Sequence, residues 1–165
     1  MTIAVIVSTW GLKVKVTFMD KTTVAKTLLT AFSSFGTYIM AAQKTVNDQA
    51  LRSFSGAKNT YDLCNSLIDQ IYESRRIADL KEKLERLLEQ TPERERKLLL
   101  LYYVHDMEAE KIAPILKVNP RSVFRYLKKA TAEFAARLEG VVSDGCFNAL
   151  LNEQYWVRKI YNRVK

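Results

Sequence analysis

The sequence predicts an all-α fold, with a helical N-terminal part, a tri-helical helix-turn-helix and a C-terminal closing helix. Three observations carry this. Only 5 glycines and 3 prolines occur in 165 residues, too few for a many-turned sandwich or barrel. From residue 22 onward apolar residues recur at spacings of three and four, the period of a helix with one buried face. Hydrophobic residues make up 48% and charged residues 27%, a balance that suits one compact domain, with or without a helical extension, and not a disordered chain.

Residues 1–20 stand apart. Leu12-Lys13-Val14-Lys15-Val16-Thr17-Phe18 alternates apolar and polar, the period of a strand, and a lone strand has no partner in a helical chain. Met19-Asp20-Lys21 reads as a second start context, so residues 1–18 are either a start-site extension or a short strand or tail. The apolar opening MTIAVIVSTWGL has no basic residue before it, which argues against a signal peptide.

Residues 22–52 form a helix with Val24, Leu28, Phe32, Phe35, Ile39 and Ala42 on one face. Ser33-Ser34 and Gly36 are expected to bend or split it, and Ser53-Phe54-Ser55-Gly56 to end it. Thr27 to Gln43 is the longest uncharged run, and it is too short and too polar to span a membrane. Residues 59–90 form a second helical block. Tyr61, Cys64, Ile68 and Ile71 make one stripe, and Ile77, Leu80, Leu84 and Leu87 another, offset from the first. Asp79/Lys83 and Glu82/Arg86 are acid-before-base pairs on an exposed face. An ordinary packed hairpin and a homodimer through residues 59–90 both accommodate this block.

In residues 91–138 three helices are legible. Thr91 is a capping residue and Pro92 suits the first helical position, with Leu98, Leu99 and Tyr102 following to about Val104. After the His105-Asp106 connection, a short helix from Glu108 to Leu116 turns Ile112, Ala113 and Leu116 inward. Lys117-Val118-Asn119 is the tight turn. Asn119 caps and Pro120 opens the third helix, whose Val123, Leu127, Ala130 and Phe134 share the inner face. Arg121, Phe124, Arg125, Lys128 and Lys129 point outward. Lys117 to Lys129 holds five basic residues and no acidic one. A helix of major-groove width with such a face suits duplex readout, with arginine gripping guanine and lysine neutralising phosphate. The net charge of +8 agrees with a polyanionic partner.

These residues resemble region 4 of the sigma-70-like sigma factors of bacterial RNA polymerase. The resemblance rests on Pro92-Glu93-Arg94-Glu95-Arg96, Tyr103-Val104, Ile112-Ala113, Ile115-Leu116, Ser122-Val123, Leu127 and Ala130, in order and spacing. It implies a DNA-binding transcription factor that takes promoter-type double-stranded DNA on the helix at 120–138, with RNA polymerase core as a further partner. The implied DNA-binding residues are Lys117, Arg121, Ser122, Phe124, Arg125, Lys128 and Lys129. The chain departs from the family where a turn glycine is Lys117, where Pro114 sits inside the second helix, where Glu108 replaces a hydroxyl cap that Asp106 partly supplies, and at Phe124 and Tyr126. Tyr126 is expected to rest on the neighbouring helix. Residues 21–90 do not show the region 2 signature of a complete sigma factor. A partial sigma subunit acting with a second chain, and a phage terminase small subunit-like packaging protein, are the rival readings.

Gly140 to Gly145 ends the basic helix. Phe147, Leu150, Leu151, Trp156, Ile160 and Val164 then form one amphipathic helix over 141–165, with Arg158, Lys159, Arg163 and Lys165 on its other face. It packs back on residues 21–90, adds phosphate contacts beside the helix-turn-helix, or docks on a partner protein or membrane surface. Cys64 and Cys146 sit among apolar neighbours and read as inert packing positions in a reduced, cytoplasmic chain. With His105 alone they make no four-ligand zinc site. No cofactor, metal ligand, catalytic motif or membrane partner is expected, and the chain does not read as an enzyme.

Overall fold

The computed structural model describes residues 4–7, 13–16, 19–53 and 60–165, without the side chains of 4–7, 13–16, 52, 53 and 60. Two long helices, α1 (Lys21–Ser53) and α2 (Thr60–Glu89), pack along each other. The helix-turn-helix follows as α3 (Glu93–Leu99), a π-helical turn (Leu100–Val104), α4 (Ala109–Leu116) and α5 (Pro120–Glu139). Helices α6 (Asp144–Glu153) and α7 (Tyr155–Val164) close the chain. The strand expected near Lys13 is present as β2 (Lys13–Val16), and its partner is β1 (Ala4–Val7), antiparallel with Ala4 opposite Val16. The expected lack of a partner is thus corrected: the upstream apolar run supplies one. None of the described helices is long and apolar enough to cross a membrane.

Helix α1 starts where Asp20 accepts hydrogen bonds from the Thr23 amide (2.9 Å) and hydroxyl (2.7 Å), so its first turn is capped from within. It runs unbroken past Ser33-Ser34 and Gly36, and the expected split does not occur. Packing decides this, because Phe35, next to Gly36, is fully buried and pins the middle of the helix. Val24 and Leu28 are buried as expected, with Phe32 and Ile39 half-buried beside them. The expected break at 53–56 agrees with α1 ending at Ser53, and residues 54–56 lie outside the described residues.

Helix α2 divides as its two stripes suggest. Ile77, Leu80, Leu84 and Leu87 are buried, whereas Tyr61, Ile68 and Ile71 face solvent. Of the expected helix-face pairs, Glu82 binds Arg86, and Lys81 binds Glu85 beside it. Both cysteines are exposed, which overturns their reading as packing positions. Cys64 lies on the outward stripe of α2, and Cys146 lies in the first turn of α6, where its amide donates to the Ser143 hydroxyl (3.2 Å).

One core joins all of this. Val24, Leu28 and Phe35 of α1, Leu84 of α2, Leu98 and Leu99 of α3, Ile112 of α4, Phe134 of α5, Phe147 of α6 and Val157 of α7 belong to a single buried cluster. The N-terminal helices are therefore part of the wall on which the helix-turn-helix is built. The single C-terminal helix expected over 141–165 is in fact two. The chain turns at Gln154, which leaves helical backbone (φ −108°, ψ 96°). Gln154 is 6% exposed, and its side chain joins α1 to α7: its Nε2 donates to the Tyr38 hydroxyl (3.2 Å), and its Oε1 accepts from Trp156 Nε1 (3.1 Å). The turn lets Phe147, Leu150 and Leu151 pack on one side and Val157 on another, which one straight helix of that length would not allow. Of the three readings of this segment, packing back on residues 21–90 is what the structure shows. Trp156 meets Phe35 edge-on (5.6 Å, 68°) and lies tilted beside Tyr38 (6.1 Å).

Candidate nucleic-acid interface

The site is built from the turn outward. Lys117 takes up the left-handed conformation that the missing glycine would favour (φ 54°, ψ 50°). The Val118 amide then donates to the Ala113 carbonyl (3.0 Å) and the Lys117 amide to the Pro114 carbonyl (3.3 Å), the paired bonds of a Schellman end. The turn thus keeps its glycine-like geometry with lysine in place. Pro114 sits in α4 without stopping it before Leu116. Neither Glu108 nor any other side chain caps α4; Glu108 instead pairs with Lys111 (3.1 Å).

Two expected caps fare differently. Asn119 caps α5, accepting from the Arg121 amide (3.0 Å), with Pro120 in the first turn. Thr91 does not cap α3. It is buried, and its hydroxyl donates back to the Leu87 carbonyl (2.8 Å) at the end of α2. Pro92 holds the capping position, with no side-chain bond. The last part of the first helix also differs from expectation, since it widens into the π turn. Leu100, Leu101, Tyr102 and Tyr103 are all half-buried. Four successive residues cannot all face inward on a regular α-helix, and the wider turn accommodates them. It places the Tyr103 hydroxyl 3.2 Å from Thr131 Oγ1 of α5, and burial pushes that phenol above its ordinary pKa.

Val123, Leu127, Ala130 and Phe134 seat α5 on its neighbours, all buried. Its outer face carries Arg121, Phe124, Arg125, Lys128 and Lys129, all exposed, with Lys117 exposed in the turn before it and Ser122 half-buried. Phe124 is 54% exposed, unusual for a phenylalanine that has a core within reach. Lys129 pairs with Glu133 (3.6 Å). Lys117, Arg121, Arg125 and Lys128 make no ion pair among the described residues. Tyr126 is half-buried against the neighbouring helix as expected, with the guanidinium of Arg94 from α3 5.1 Å from its ring and that of Arg125 at 5.3 Å. Arg94 is a cation that the sequence pattern does not place at this surface. The outer face of this capped helix is thus rich in cations and poor in acids.

Residues 81–133 match the family model for sigma-70, region 4. This segment is a sigma-70 region 4-like domain. Region 4 is a helix-turn-helix domain, a DNA-binding regulatory unit and not an enzyme. The matched residues begin inside α2, ten residues before the Thr91 that opens the tri-helical pattern. No curated protein and no solved structure matches the chain. The role these findings support is DNA-binding and sigma-factor-like.

Proposed function

We propose that the chain binds promoter-type duplex DNA with α5 in the major groove. The observation that carries this is the outer face of α5, where Arg121, Arg125 and Lys128 are exposed and free of ion pairs among the described residues. Arg125 stands one turn into the helix and reads a base edge, since arginine grips guanine at two points. Lys128 meets phosphate, and Lys117, Arg121, Ser122, Phe124 and Lys129 complete the contact face. Lys129, already paired with Glu133, contributes least. The region 4 likeness extends the proposal to RNA polymerase core as the partner that brings this domain to a promoter.

Selection of bound duplexes from a randomised pool at near-physiological salt tests the reading. A defined enriched motif is expected, and binding that collapses with salt and enriches no motif would overturn base readout. Retention of the chain on core polymerase tests the second partner. A homodimer through residues 59–90 is supported by the solvent-facing Tyr61, Ile68 and Ile71. A sedimentation mass that stays at 19.0 kDa at high concentration would remove it.

A further inference from the structure

A cleft of about 690 Å³ opens beside α5. Its walls come from four parts of the chain: Lys26 of α1, Phe124 and Lys128 of α5, Arg163 at the end of α7, and the stretch from the π turn to Glu108. At 3.6 residues per turn, Phe124 and Lys128 lie on one edge of the outer face of α5 and Lys129 on the other. The cleft is therefore on the Phe124 edge, and it continues the basic face instead of backing it. Arg163 is exposed and Lys26 half-exposed, and neither is in an ion pair among the described residues. Helix α7 and Lys165 carry Arg158, Lys159, Arg163 and Lys165 and no acidic residue. Two acids, Asp106 and Glu108, line the cleft from the loop before α4, and Glu108 is occupied by Lys111. The positive side of the cleft is thus the side shared by α1, α5 and α7.

We propose that Lys26 and Arg163 form a phosphate track that receives the sugar–phosphate backbone flanking the groove occupied by α5. The occupant follows from charge and continuity: cations from α1 and α7 extend the row begun by Lys128, and a duplex lying on α5 presents its backbone at the edges of that helix. Arg163 and Lys26 lie outside the region 4-like segment, so this part of the surface belongs to the chain's own flanking helices. The inference rests on the reading of α5 as the duplex-facing helix, and the test separates the two.

The experiment measures duplex affinity against salt for the full chain and for Lys26→Ala, Arg163→Ala, Arg163→Glu and Lys128→Ala. Lys44→Ala serves as the control, about 27 Å along α1 from Lys26. Removal of each cation that meets phosphate is expected to flatten the log–log salt slope by about 1 and to weaken all sequences evenly, leaving the selected motif unchanged. Arg163→Glu should weaken binding more than Arg163→Ala, and Lys44→Ala should leave the slope as it is. If Lys128→Ala flattens the slope while Lys26→Ala and both Arg163 variants do not, the track is refuted and the α5 reading stands. If none of the variants changes slope or affinity, both fall. Lys44, Lys128 and Arg163 are exposed and Lys26 is half-exposed, and an unchanged melting temperature confirms that each variant folds.

Discussion

Truncation of Trp156 to alanine should loosen α7 from the body of the protein. In the structure the indole pairs with Phe35 and with Tyr38, and its N–H is held by Gln154. Each ring pair is worth roughly 0.5–1.5 kcal/mol beyond its buried area. Removing the indole donor also leaves Gln154 Oε1 short of its partner inside the core, at about 1–3 kcal/mol. Together these come to about 4 kcal/mol, a large loss for a half-buried side chain and one that reflects its ring pairs and the Gln154 bond. For a chain of this length that corresponds to a melting temperature lower by about 8–16 °C. Trp156→Phe keeps most of the ring packing and loses only the N–H, so it should fall between the two. Urea denaturation followed by circular dichroism reads both changes. A loss under about 1 kcal/mol for Trp156→Ala would refute the view that α7 is a structural part of this core. A Trp156→Phe protein as unstable as Trp156→Ala would place the cost in the Gln154 bond alone.

Arg125→Ala should cost about 1–3 kcal/mol on specific DNA and relax preference at one position of the selected motif; an even loss on all sequences would show a phosphate contact instead. Lys117→Gly should stabilise the fold by about 0.5 kcal/mol, because relief of the left-handed backbone (~1–2 kcal/mol) outweighs the extra freedom of glycine in the unfolded chain (~0.4–1 kcal/mol); a lower denaturation midpoint would count against the turn described. Asp20→Ala should cost about 1 kcal/mol at neutral pH by uncapping α1. The Thr23 hydroxyl, and then its amide, hold the Asp20 carboxyl below its ordinary value of 3.8. Its stabilisation is therefore present above that value and fades as pH falls through the lowered one, so the gap between wild type and Asp20→Ala should narrow below about pH 4. A gap that stays constant down to about pH 2 would show that the charge of Asp20 plays no part.

Local signals carried much of this protein. Asn119 and Pro120 announce the start of α5, and the four-three-four spacing of Val123, Leu127, Ala130 and Phe134 sets its inner face, which leaves Arg121, Phe124, Arg125, Lys128 and Lys129 outside. A cap acts within three residues and a helix repeats every 3.6, so both are written in neighbouring positions. Where the same short-range reasoning failed, a distant partner overrode it. Gly36 fails to split α1 beside the buried Phe35, Thr91 turns back to Leu87 instead of capping α3, and the π turn answers to packing on four consecutive side chains. The single helix expected after Gly140 breaks at Gln154 because that side chain is bonded to Tyr38, more than a hundred residues earlier. The reach of the site followed the same division. The outer-face cations of α5 all fall between Arg121 and Lys129, but Arg94 meets Tyr126, and Lys26 and Arg163 share a cleft with Lys128, only in space. The helical class, the helix-turn-helix and the basic face of its last helix are all legible in the residue order, since each depends on spacings of a few residues. Where α1 and α7 lie, and which of their cations reach the edge of that domain, is set by burial of a shared core and not by local propensity.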